Sequence, residues 1–155
     1  MYVEWVPVGK LLKALVGFLC SIFLCIVVVV MAVGNPAEAF VAPLLISIMG
    51  SVLLLFWNYR GLHIRVNREA LRVQYGLLNR KSIALSDIVA CQPTRASFRK
   101  YGGMGVRFGI DGSWAYTTSL GSAVRINPRE GRSFVFSSNS PEEICALIRE
   151  SRSGQ

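Results

Sequence analysis

Two kinds of hydrophobic spacing divide this chain. From Leu11 to Val33, and again from Phe40 to Trp57, apolar residues follow one another almost without interruption, and Lys13 is the one charge in either run. From Gly61 onward the period drops to two. A continuous run of about 20 apolar residues matches the roughly 30 Å hydrocarbon core of a bilayer. Lipid offers no partner for an open backbone, so such runs are helical. The pattern therefore predicts two transmembrane helices, at about 11–33 and 40–57, joined by Gly34 to Ala39 with Asn35-Pro36 as the turn. Residues 1–59 form the N-terminal segment with its membrane hairpin, and residues 60–155 a separate domain.

In that domain Ile64 and Val66 alternate with His63, Arg65 and Asn67, and Leu71, Val73 and Tyr75 with Arg72 and Gln74. Asn67 to Ala70 makes the turn between these two strands. A third strand carries Ile83 and Leu85 inward and runs into Asp87-Ile88-Val89. Pro93 to Gly103 breaks the pattern. Strands resume with Val106, Phe108 and Ile110, turn at Asp111-Gly112, and return with Trp114 and Tyr116. Val124 with Ile126 and Phe134 with Phe136 follow, separated by a turn from Pro128 to Gly131. About seven short antiparallel strands at this spacing indicate a mainly β barrel or sandwich. One C-terminal helix closes it: Ser140 caps, Pro141 takes the first helical position, Glu143 completes a Ser-x-x-Glu box, and Ile144, Leu147 and Ile148 form the apolar stripe.

Charge orients the hairpin. Lys10 and Lys13 lie at its start and Arg60, Arg65 and Arg68 after its end, whereas the connecting loop holds only Glu38. The positive-inside rule then puts both termini in the cytoplasm, in a multi-pass protein of the cell membrane. Residues 60–155 carry 15 Lys and Arg against 7 Asp and Glu, a net of +8. A basic domain held at a bilayer is attracted to anionic head groups. Ala37-Glu38-Ala39 has the small-x-small form of a signal cleavage site, but the apolar run before it is too long for a signal core and a second run follows at once, so cleavage is not expected. Gly17 with Ser21, and Ser47 with Ser51, set small residues one turn apart in each span, faces on which helices pack in lipid.

The order of strands and closing helix resembles the pleckstrin-homology-like domains, and in particular the bacterial branch often attached to membrane hairpins. The resemblance is carried by Leu71 to Gly76, by Ile83 to Ile88 as an I-x-L-x-D-I step, by Tyr101 to Arg107, and by Ser137 to Ile148. It spans roughly residues 61–150 and implies a binding module rather than an enzyme. Phosphoinositide-binding relatives gather Lys and Arg in the loop joining their first two strands. Here the loop at Asn67 to Ala70 has Arg68 alone, which argues against inositol phosphate recognition.

Candidate chemistry is sparse. His63 is the sole histidine and no nucleophile or metal partner accompanies it in sequence. Cys20, Cys25, Cys91 and Cys145 form no Cys-x-x-Cys pair, so neither a disulfide framework nor a zinc site is expected, and the usage fits a reducing compartment. Gly102-Gly103-Met104-Gly105 lacks the ending of a phosphate loop. The carboxylates lie mostly at turns. Neither span carries an acid, Arg or His at depth, which disfavours transport. Arg95, Phe98, Arg99, Lys100 and Tyr101 interleave cations with aromatics, the composition of a membrane or partner contact. The expected role is a non-catalytic interaction protein, an accessory or scaffolding subunit of a membrane protein complex. No cofactor, metal, nucleic acid or small-molecule substrate is expected. The alternatives are a sensor of anionic lipid and, disfavoured, an enzyme or transporter subunit.

Overall fold

A computed structural model describes residues 1–33 and 40–153. The Asn35-Pro36 turn and Ala37-Glu38-Ala39 lie outside them. The chain forms two compact units: Gly9–Asn58, and a second assembled from Met1–Val8 together with Tyr59–Gln155. The first unit is α1 (Lys10–Val33) and α2 (Val41–Asn58). Both helices are long and apolar enough to cross a membrane. Only Val27 is buried along α1 and no residue along α2, so their apolar side chains face outward, unlike those of a helix in a soluble core.

Among its described residues the second unit holds nine strands, where the alternation predicts about seven. One difference is β1 (Tyr2–Pro7), ahead of the first apolar run. It pairs antiparallel with β2 (Gly61–Val66), from Tyr2 opposite Val66 to Pro7 opposite Gly61. The ladder continues one step further, the Val8 N–H donating to the Arg60 carbonyl at 3.0 Å. The two membrane-length helices are therefore an insertion between neighbouring, hydrogen-bonded strands. At the ladder's end the Trp5 ring lies over Gly61, where a Cβ would collide with the indole Nε1. β3 (Ala70–Tyr75) and β4 (Asn79–Ala84) complete a four-stranded antiparallel meander, β1-β2-β3-β4.

The other difference is that the expected third strand is two. A 3-10 turn at Leu85–Asp87 ends β4, and β5 (Ile88–Ala96) begins a second sheet. β5 runs through Pro93, which was expected to break the chain. As an edge strand it pairs on one side only, with β8, so an edge position accommodates the missing proline N–H. After the short α3 (Phe98–Tyr101) come β6 (Gly105–Phe108), β7 (Trp114–Thr117), β8 (Gly121–Pro128) and β9 (Phe134–Ser137), in the order β5-β8-β9-β7-β6. The pair β7–β9 is parallel and the rest antiparallel, a departure from the expected all-antiparallel set. Ile110 belongs to the β6–β7 turn rather than to a strand, and is exposed.

The sheets do not close into a barrel. They face each other across a core that includes Leu62, Ile64, Leu71 and Val73 from the first and Val124, Ile126, Phe134 and Phe136 from the second. Tyr116 and Phe134 meet edge to face at 4.9 Å. The last helix, α4 (Pro141–Ser153), packs against β5 and β8 with Ile144 and Ile148 buried. Glu4 ties β1 to the approach of this helix: its carboxylate accepts the Asn139 N–H at 2.6 Å and the Ser138 hydroxyl at 2.8 Å.

Cys91 of β5 and Cys145 of α4 are joined in a disulfide, with Cα atoms 5.4 Å apart. This corrects the expectation that no disulfide forms. The two lie 54 positions apart in sequence and no spacing motif marks the pair. It exists because α4 folds back over the edge strand. Cys20 and Cys25, on α1, are free.

Candidate functional site

The cation–aromatic segment is dispersed by the fold. Arg95 is on the edge strand β5, exposed, with Ser122 opposite. α3 then turns Phe98 and Arg99 outward and Tyr101 inward, where it is buried in a small cluster with Ala96 and Ala115. Gly102, at a φ of +67°, ends the helix in the left-handed conformation that glycine allows. Lys100 is engaged by Asp111, Nζ to Oδ2 at 3.0 Å. Arg125 reaches the same oxygen at 2.8 Å, and the Ser113 hydroxyl donates to Oδ1 at 2.6 Å. Burial alone raises the Asp111 pKa, but bonds from Ser113, Lys100 and Arg125 outweigh it and hold the carboxyl well below the usual carboxylate range. This cluster fixes the β6–β7 turn to β8. Arg95, Phe98 and Arg99 remain as the exposed part of the segment.

In the helices, the Ser21 hydroxyl donates to the Gly17 carbonyl at 3.0 Å and that of Ser51 to Ser47 at 2.9 Å. Each serine satisfies its own helix, and its small outer surface stays available for close packing. His63 is exposed on β2, its ring 6.1 Å from that of Trp5. Among the described residues no group of three His, Cys, Asp or Glu side chains is placed to hold a metal.

A feature missed in sequence is the outer face of the first sheet. Register sets two rows across it. Trp5, His63, Gln74 and Arg80 form the row nearer the ends that lead to the helices, and Val3, Arg65, Arg72 and Ser82 the next. Arg65 stands directly opposite Arg72. Neither row contains a carboxylate, and among the described residues none of the three arginines makes an ion pair. They line a groove of about 460 Å³ with His63, Val73, Gln74, Lys81 and Ser82. The signal was present in sequence as the polar half of the alternation, but it becomes a cluster only once strand register is known.

At the helix-proximal end of the same sheet the β3–β4 turn presents Leu77 and Leu78, 71% and 80% exposed. Beneath it Tyr75 is buried, and burial with the neighbouring Tyr59 pushes its phenol up to about 12. The Tyr59 hydroxyl accepts a hydrogen bond from Asn79 at 3.1 Å. Comparisons of the chain with protein-family models, with curated proteins and with solved structures return no match.

Proposed function

We propose that this chain is a non-catalytic, membrane-anchored interaction module of the pleckstrin-homology-like kind, an accessory or scaffolding subunit docked onto a membrane protein complex. The observation that carries this reading is the insertion of the two apolar helices between β1 and β2. A tether at one terminus leaves a domain free to swing, whereas two connections from adjacent hydrogen-bonded strands restrict it. Restricted orientation suits a fixed partner better than free capture. The meander sheet, second sheet and final helix support the resemblance, while the parallel β7–β9 pair is a departure from it.

The same insertion supports placing both helix ends on one side of the membrane. Two observations bear on which side, and they oppose each other. Five Lys and Arg flank the helices on the domain side and none lies in the loop, which favours the cytoplasm. A disulfide belongs to an oxidising compartment. The charge asymmetry favours the cytoplasm more strongly than the cysteine pair opposes it. The cytosol reduces a cysteine pair without displacing two residues that also serve as small apolar core side chains. A charge asymmetry of this size acts during insertion itself. In this reading Cys91 and Cys145 are thiols in the cell and close on oxidation.

The test is purification of the full chain in mild detergent. Recovery of an integral membrane protein at fixed stoichiometry, lost when Gly17 and Ser47 are both changed to Leu, is the expected result. Recovery of the chain alone counts against the subunit reading. It would favour the second reading, a sensor of anionic lipid, which the unpaired arginine face supports.

A further inference from the structure

We propose that the outer face of the first sheet seats the phosphate groups of anionic phospholipids, with the Leu77–Leu78 turn entering the bilayer interface beside it. The inference rests on the reading that α1 and α2 span a membrane. Like charges directly opposite on adjacent strands repel, yet Arg65 and Arg72 occupy such a pair and Arg80 stands one row away, across Gln74. Lys100 and Arg125, by contrast, share the Asp111 carboxylate. Three guanidinium groups around one open groove call for an anion from outside. Guanidinium forks match phosphate oxygens in pairs, which a flexible ammonium does not.

Position selects the lipid as the source. The β3–β4 turn lies at the end of the sheet where Pro7 and Gly61 face each other. At that end Val8 and Gly9 alone join β1 to α1, and Tyr59 and Arg60 join α2 to β2. Two-residue connectors reach no more than about 10 Å. The connectors hold the β1 and β2 ends within that reach of the helix ends. Free phosphate would satisfy the arginines but leave Leu77 and Leu78 in water. A bilayer interface accepts both, apolar side chains at the acyl boundary and cations among the head groups.

The test uses the full chain in lipid nanodiscs, with Trp57→Phe and Trp114→Phe so that Trp5, in the row of Arg80, is the remaining fluorophore. Discs of phosphatidylcholine alone are compared with discs containing phosphatidylglycerol. The expected result is a blue shift of Trp5 emission in the anionic discs, abolished by Arg65→Gln, Arg72→Gln and Arg80→Gln together and reduced by Leu77→Ser with Leu78→Ser. All five side chains are exposed, so the variants are expected to keep the parent's unfolding midpoint, and the comparison is read on variants that do. Identical emission in the two discs overturns the proposal, as does a shift that survives loss of the three arginines. A shift reproduced by inorganic phosphate in neutral discs would assign the groove to free anions instead. Alkaline carbonate extraction separates the premise from the inference. Release of the chain from membranes would sink the spanning reading, whereas a retained chain with lipid-insensitive Trp5 removes only the phosphate seat.

Discussion

Asp111 is held by more partners than any other carboxylate described above, and its role can be checked by titration. It bonds to Lys100, Arg125 and Ser113, and its folded pKa lies below the ordinary value near 3.9. A carboxyl whose pKa falls on folding contributes stability above its unfolded pKa and loses it as pH drops through the folded one. Asp111→Asn should therefore cost about 1–2 kcal/mol near neutral pH, and less below about pH 4, where the parent begins to lose the same contribution. The measurement is the unfolding midpoint of parent and variant across that range. A gap of constant size would mean that the charge is not what holds the turn. Tyr75 has the opposite sign. Its raised pKa favours the neutral folded form, so its contribution is lost on the alkaline side, between about 10 and about 12.

At the scale of elements, α4 depends on burial of its apolar stripe. Ile144 and Ile148 are both nearly inaccessible, and the helix covers β5 and β8. Ile148→Asp places an unpaired carboxylate there and should destabilise the domain by several kcal/mol. An unchanged melting midpoint would refute the helix's role as a cover. This element was legible because its signals are local: Ser140 and Pro141 start it and the apolar period continues it. The same is true of β2 and β3, whose alternation survives intact in the burial of Leu62, Ile64, Leu71 and Val73. β1 was not legible, although Tyr2, Glu4 and Val6 do alternate with Val3, Trp5 and Pro7. Six residues beside a long apolar run read as a membrane flank, and the partner strand lies beyond both helices. Pro93 misled in the other direction, since local chemistry cannot reveal that β5 is an edge. The side chains of the expected contact segment diverge for a related reason: α3 turns Tyr101 into the core and Lys100 toward Asp111, neither of which spacing alone predicts.

For the whole molecule, with α1 and α2 spanning a membrane as proposed, orientation is a single question, because β1 and β2 cannot lie on opposite sides of a bilayer while hydrogen-bonded. The side taken sets the state of Cys91 and Cys145, so two independent readouts must agree. In the cytoplasmic placement, alkaline phosphatase fused at the C-terminus stays inactive. Both cysteines are then alkylated in cells lysed into denaturant and alkylating reagent without prior reduction. An active fusion together with blocked cysteines would reverse the placement and set the disulfide above the charge rule. Once formed, in the cell or on oxidation after purification, the bridge constrains the chain in the same way. Closing a loop with a sequence separation of 54 contributes about 4 kcal/mol in the chain-entropy account. Purified chain should therefore unfold at a lower temperature after reduction, and Cys145→Ser should remove the difference between reduced and oxidised samples. Because the bridge pins α4 to the edge strand, the lowered midpoint should come with earlier exposure of the core covered by Ile144 and Ile148. Hydrogen exchange along α4 measures that directly, and equal protection in the two redox states would show that the bridge is incidental to how this helix is held.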